Sequence, residues 1–123
     1  MAKPAVSLSP SKPMNPLRES RSISEAYRNC RVAVANDHEI RMSVMTSGFE
    51  WHNHPRSDEV FFVIEGELII ELEDRKVLLG EGDLFTVPRG VVHRTRPSGT
   101  RSVNLTFERG SAETVYVCRG GKD

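Results

Sequence analysis

Three of the four histidines in this 123-residue chain lie in a spaced pattern with a glutamate. His52 and His54 flank one asparagine, Glu59 follows five residues after His54, and His93 ends the segment V-P-R-G-V-V-H. Side chains two apart on an extended segment project from the same face, so the first two imidazoles can reach one centre. Three neutral imidazoles and a carboxylate suit Fe, Mn, Ni, Co or Zn and leave coordination positions open. We therefore predict a site for one divalent transition metal at these four residues.

The segments around these residues have the pattern of short strands that end at glycine, proline or Asn-Asp turns. Apolar and polar side chains alternate with a period of two, as in half-buried strands. Short strands at nearly regular spacing predict an all-β barrel or double sheet. We expect strands at residues 31–34, 40–45, 59–64, 67–73, 77–79, 84–87, 91–95, 102–108 and 114–118. One helical turn is predicted at residues 22–27, where Ser22 would be the cap and Glu25 follows three residues later.

The composition is that of one globular domain. The chain has 37% hydrophobic residues, 28% charged residues and a net charge of zero, a balance that argues against general nucleic-acid binding. No apolar run approaches the roughly 18 residues that a membrane span needs, and the N-terminus has no signal-like apolar core. We therefore expect a cytoplasmic protein without a membrane partner. In that compartment Cys30 and Cys118 are expected to be free thiols.

The first 16 residues contain four prolines among serines and lysines. Such a segment buries too little apolar surface to order itself, so residues 1–20 are predicted to be a flexible N-terminal arm. The alternative is an arm that lies across a neighbouring subunit. The β-barrel domain is expected at residues 21–118, and residues 119–123 form a C-terminal tail.

Two segments resemble the two motifs of the cupin superfamily. The first has three residues rather than five between its leading glycine and His52, and the second has Pro97 where the motif has an asparagine that is not a ligand. The matching residues are Gly48, His52, His54, Glu59 and Gly66 in the first motif, and Gly82, Pro88, Gly90 and His93 in the second. The chain is most similar to small single-domain bacterial cupins, often labelled mannose-6-phosphate isomerase-like. That label describes a fold, and a fold does not define a function.

The resemblance implies a cupin double-stranded β-helix, or jelly-roll barrel, with a short N-terminal arm. Similar cupins commonly dimerise, so a homodimer is expected. The metal of such a protein would bind a small oxygen-rich substrate, such as a hydroxy-ketone, an enediol, a diketone or a catechol. An oxygenase and an isomerase or lyase are the two reaction classes that follow. A non-catalytic small-molecule-binding or sensor cupin is the alternative.

Two further residues are candidates for catalysis. Glu50 lies two residues before His52, so on an extended segment both side chains would project from the same face. Glu50 is therefore a candidate acid or base. Arg89, in the turn before His93, is a candidate for binding an anionic substrate group at the barrel mouth. His38 follows an aspartate in a predicted turn, and we assign it to the surface.

Overall fold

Ten strands and one short helix make up the part of the chain that this computed structural model describes, residues 12–118. The helix is α1 (Pro16–Ser20). The strands are β1 (Tyr27–Ala35), β2 (His38–Met45), β3 (His52–Asn53), β4 (Glu59–Glu65), β5 (Leu68–Leu72), β6 (Lys76–Leu79), β7 (Leu84–Val87), β8 (His93–Pro97), β9 (Ser102–Arg109) and β10 (Val115–Tyr116). No helix among these residues is long and apolar enough to cross a membrane.

The strands form two five-stranded sheets. Sheet 1 has the order β1-β2-β9-β4-β7, and sheet 2 has the order β10-β3-β8-β5-β6. Every strand pairing is antiparallel. The predicted jelly-roll fold is therefore confirmed, and the predicted strands all recur with boundaries shifted by a few residues.

The chain passes from sheet 1 to sheet 2 at Gly66, between β4 and β5. Its φ is +77°, and a Cβ at this position would lie 2.3 Å from the carbonyl oxygen of Arg101. Only glycine combines the left-handed conformation with room for that close approach. The turn allows alternate side chains of β4 and of β5 to face the space between the two sheets.

The main core lies between the two sheets. Its fully buried members include Val63 from sheet 1 and Leu68 and Ile70 from sheet 2. A second apolar cluster contains Cys30, Met42 and other residues that alternate with those facing the interior, so it lies on the outer face of sheet 1. Burial of each such aliphatic side chain contributes roughly 1.5–3 kcal/mol, which holds the strand registers in place.

The segment before β1 packs on the barrel. Asn15 caps α1 by accepting a hydrogen bond from the backbone N–H of Arg18 at 2.9 Å, and Pro16 occupies the first turn. Ser20 is fully buried, and its carbonyl oxygen accepts a hydrogen bond from Nη2 of Arg101 at 2.7 Å. The helical turn predicted at residues 22–27 is therefore wrong in position, since the proline and the asparagine cap favour a start at residue 16.

This helix lies inside the range that we predicted as a flexible arm, so regular structure begins before residue 21. Residues 1–11 of that arm and the tail at residues 119–123 lie outside the described residues. The two cysteines are free thiols as predicted, with Cys30 buried and Cys118 exposed.

Candidate metal centre

The four predicted metal ligands come together inside the barrel. His52 on β3 lies directly opposite His93 on β8 in sheet 2, and His54 follows one residue after β3 ends. Glu59 opens β4 on the facing sheet. One ligand atom from each residue lies within 4.8 Å of every other, and all four side chains are buried. The spacing in the sequence therefore predicted this cluster correctly.

Each of the three imidazoles has its Nδ1 atom against a backbone carbonyl oxygen. The pairs are His52 with Glu50 at 2.6 Å, His54 with Glu113 at 2.8 Å and His93 with Val91 at 2.9 Å. A carbonyl oxygen only accepts, so every Nδ1 carries the proton and every neutral ring presents a lone pair at Nε2. This arrangement orients the rings and selects the tautomer needed for metal binding. The backbone of Glu113, which provides the carbonyl oxygen for His54, is in the left-handed region with a φ of 61°.

Glu59 is the electrostatic centre of the cluster. Its Oε1 atom lies 3.2 Å from Nε2 of His54 and 3.2 Å from Nε2 of His93. Burial lowers the pKa of His54, but the adjacent carboxylate of Glu59 outweighs it and raises that pKa to about 9. Burial would raise the pKa of Glu59, and the same two histidines hold it well below its usual range. Burial and the neighbouring His93 lower the pKa of His52 to about 4.

These residues fit a divalent transition metal. Nε2 of His54 is buried and has no hydrogen-bond partner of acceptable geometry among residues 12–118. A buried polar atom without a partner is costly, and a metal ion would satisfy it together with the other three ligand atoms. The set of three nitrogens and one oxygen suits several first-row ions equally well, so the donor chemistry leaves the metal undetermined.

A cavity of about 340 Å³ opens from the cluster toward the face of sheet 1. The aromatic rings of Phe49 and Phe61 lie against the ligands, with ring-centroid distances of 4.8 Å to His52 and 6.0 Å to His93, respectively. The remaining wall is mostly polar. Its residues include Tyr27, Asn29, Glu39, Arg41, Ser43, Thr95, Asn104, Thr106 and Glu108.

The two residues that we proposed for catalysis do not reach this cavity. Glu50 and Arg89 are both exposed, and neither side chain is part of the wall. Glu50 instead contributes its backbone carbonyl to His52, and the backbone N–H of Arg89 donates to Asp58 at 2.8 Å. The prediction that Glu50 faces the same way as His52 failed because residues 46–51 form an irregular connection rather than a strand. His38 is exposed beside Asp37, as predicted.

Sequence reasoning missed the polar wall contributed by sheet 1. Glu108 is the clearest case, since burial and the charge of Glu59 raise the pKa of its carboxyl to about 7. Its Oε1 atom is buried and has no hydrogen-bond partner in the described part of the chain. A signal was present, because Asn104, Thr106 and Glu108 alternate with apolar residues along β9. That alternation indicates a polar inner face, which a purely apolar core would not have.

Comparison with known proteins agrees with the fold. The family profile of the Cupin domain matches residues 38–107. The uncharacterized protein YdbB of Bacillus subtilis (strain 168) is 43% identical over 108 residues, which cover 87% of this chain and 95% of that protein. A cupin-2 domain containing protein from Shewanella frigidimarina superposes with a TM-score of 0.72 at 26% identity, covering 78% of this chain and 93% of that one. The chain therefore belongs to the cupin family.

A shorter match joins the chain to a much longer protein. Germin-like protein 11-1 of Oryza sativa subsp. japonica is 43% identical over 47 residues, which cover 34% of this chain and 21% of that protein. The shared segment is a small part of the germin-like protein, so this match relates the two proteins only over that segment.

Proposed function

We propose that this cupin binds one divalent transition metal through His52, His54, Glu59 and His93 and acts as an enzyme on a small oxygen-rich molecule. One observation carries the proposal: four buried ligand atoms within 4.8 Å of one another face an open polar cavity. A closed structural site has no such space, whereas a working site keeps coordination positions for its substrate.

A metal held at these residues would supply Lewis-acid polarisation of a substrate that chelates it through two oxygens, and a redox-active ion would add oxygenase chemistry. The protein's own part is to hold three Nε2 lone pairs on one centre. The two phenylalanines, Phe49 and Phe61, exclude water from one side of the centre. An oxygenase and an isomerase or lyase both remain within this proposal.

Glu108 takes the place of Glu50 as the candidate acid or base. Its carboxyl lies in the cavity wall, in contact with Glu59, with one oxygen free of protein partners among residues 12–118. A carboxyl group at that position could donate a proton to a substrate oxygen, or accept one from it, without any movement of the backbone of β9. Glu108→Gln should lower kcat by about a hundredfold, typical for a positioned acid or base, while the metal content stays unchanged.

The proposal is tested first by elemental analysis of the purified protein. We expect about one transition-metal ion per chain, lost from a His52→Ala, His93→Ala double variant and retained by His38→Ala, whose histidine lies on the surface. Equal metal content in the double variant and in wild-type protein would contradict the ligand assignment.

The reaction class is tested next with the metal-loaded protein. Oxygen uptake with a panel of catechols, 1,3-diketones and enediols would identify an oxygenase. Metal-dependent exchange of a carbon-bound proton of a hydroxy-ketone into deuterated solvent would identify an isomerase or lyase. Tight binding of such compounds without turnover in either assay would instead support the non-catalytic binding or sensor cupin.

We also propose that the chain forms a homodimer. Leu78 on β6 and Leu84 on β7 are 58% and 64% exposed on the edge strands of the two sheets. Apolar side chains on open strand edges favour association. Sedimentation velocity should give a dimer for wild-type protein and a monomer for Leu78→Glu, Leu84→Glu, and a monomeric wild type would contradict the proposal.

A further inference from the structure

Arg41 on β2 stands on the cavity wall contributed by sheet 1. It is the one lysine or arginine among the cavity-lining residues within the described range. We propose that Arg41 is an anion-binding residue, and that the cavity takes a metal-chelating ligand that also carries a carboxylate. This inference rests on the proposed function, because it names the substrate class of the same site.

The guanidinium group of Arg41 is held in a fixed orientation. Its Nε donates to Oδ1 of Asn29, and its Nη1 donates to Oε1 of Glu39 at 2.9 Å. In residues 12–118 these are its hydrogen bonds, so Nη2 remains available to a ligand in the cavity. An arginine that the protein has already oriented loses less conformational entropy when it binds a carboxylate than a free side chain would.

The ion pair between Arg41 and Glu39 leaves part of the guanidinium group for a ligand. Glu39 is shared between two arginines, since its Oε2 lies 3.4 Å from Nη1 of Arg31. Arg31 is 46% exposed and does not line the cavity. Glu39, Glu59, Glu108 and Glu113 also line the cavity, so a carboxylate would bind by direct contact with Arg41 rather than through the net charge of the cavity.

The position of Arg41 relative to the metal ligands suits a compact bifunctional ligand. In sheet 1 Arg41 lies opposite Thr106, which lies opposite Phe61. Phe61 shares its inward face with Glu59, two residues earlier on the same strand. Strands two apart are separated by about 10 Å, a span that a ring-sized molecule can bridge. On β9, between these two strands, Thr106 offers a neutral hydroxyl group to the ligand.

A matched pair of ligands tests the proposal. Catechol and 3,4-dihydroxybenzoate have the same two chelating oxygens, and only the second has a carboxylate, on the far side of its ring. Isothermal titration of the metal-loaded wild-type protein should show the carboxylate compound binding about tenfold to a hundredfold more tightly, the range expected for a charge-assisted hydrogen bond. Equal Kd values for the two compounds would overturn the anion site.

Three variants locate the effect. Arg41→Gln should abolish the preference and leave the catechol Kd unchanged, whereas Arg41→Lys should retain part of it because the charge stays and the fork is lost. Arg31→Gln is the control, because Arg31 contacts the same Glu39 from outside the cavity. This variant should keep the full preference for the carboxylate compound. A preference that survives in Arg41→Gln would overturn the proposal, and if that variant does not fold, an undiminished preference in Arg41→Lys would do so.

Failure of the metal site is distinguishable from failure of the anion site. If the protein holds no metal and binds no catechol, the proposed function fails. Benzoate, which lacks the chelating oxygens, then tests Arg41 in the metal-free protein. Binding that Arg41→Gln weakens and Arg31→Gln leaves unchanged would support the anion site. Absent binding, or binding equal in wild-type protein and Arg41→Gln, would overturn it.

Discussion

The buried contact between His54 and Glu59 should make the stability of the metal-free protein depend on pH. Their side chains are only 8% and 10% exposed, and the facing atoms are 3.2 Å apart. Although burial opposes it, the carboxylate raises the pKa of His54 to about 9. A histidine whose pKa is higher in the folded than in the unfolded state stabilises the protein fully below the unfolded value, and this stabilisation is lost as the pH rises through the folded value.

The size of the effect follows from the pKa values. The difference between the ordinary histidine pKa of 6.5 and about 9 corresponds to about 3 kcal/mol, at about 1.4 kcal/mol per pKa unit. This contribution is complete below about pH 6.5 and gone above about pH 9.5. For a urea m value of about 1–3 kcal/mol/M, the unfolding midpoint should fall by roughly 1–3 M across that window. Glu59→Gln removes the charge and with it the fall.

Urea unfolding of protein treated with a metal chelator tests the reasoning, with wild type and Glu59→Gln compared at about pH 6.5, 8 and 9.5. Groups that titrate alike in both proteins cancel in the comparison. Glu108 does not cancel, because the charge of Glu59 contributes to its raised pKa, but with a pKa of about 7 most of its effect on stability falls below pH 6.5. We expect the wild-type midpoint to fall with pH and the midpoint of Glu59→Gln to stay nearly constant. Parallel curves for the two proteins would refute the assignment of the raised pKa to the contact between His54 and Glu59.

Three further results are expected. Metal binding should release about one proton per site at about pH 7.5, measured by titration in buffers of different ionisation enthalpy, because His54 is protonated in the metal-free site below its pKa of about 9; release of no proton would contradict this. Gly66→Ala should cost more than about 3 kcal/mol in thermal unfolding, because a backbone oxygen lies 2.3 Å from the new Cβ. Gly82→Ala, at a φ of +89° with open space around it, should cost only about 1–2 kcal/mol, and equal losses would show that the clash is relieved. Glu50→Gln and Arg89→Gln should each keep the wild-type metal content and turnover, and a loss above about tenfold in kcat would restore either residue as a catalytic candidate.

The strands and the clustering of the four candidate metal ligands could be predicted because their signals are local. Alternation along β4 and β5 reports which face of each strand is buried, and turn glycines mark where each strand ends. The helix was misplaced because two weak capping signals competed within a few residues. Asn15 and Pro16 favour its start, and the burial of Ser20 and the contact with Arg101, which is 81 residues away in the chain, hold it on the barrel.

The sequence by itself determined the cupin barrel and the four residues that could bind a metal. Both depend on residue spacings within short segments, and these spacings can be recognised before the fold is known. Only the tertiary structure decided what surrounds those four residues. Glu108 and Arg41 belong to strands that meet the ligands through pairing between distant segments, and Glu50 leaves the site because its connection is irregular. The pattern of histidines therefore predicts the metal site, and the packing of sheet 1 against it defines the space in which a substrate would bind.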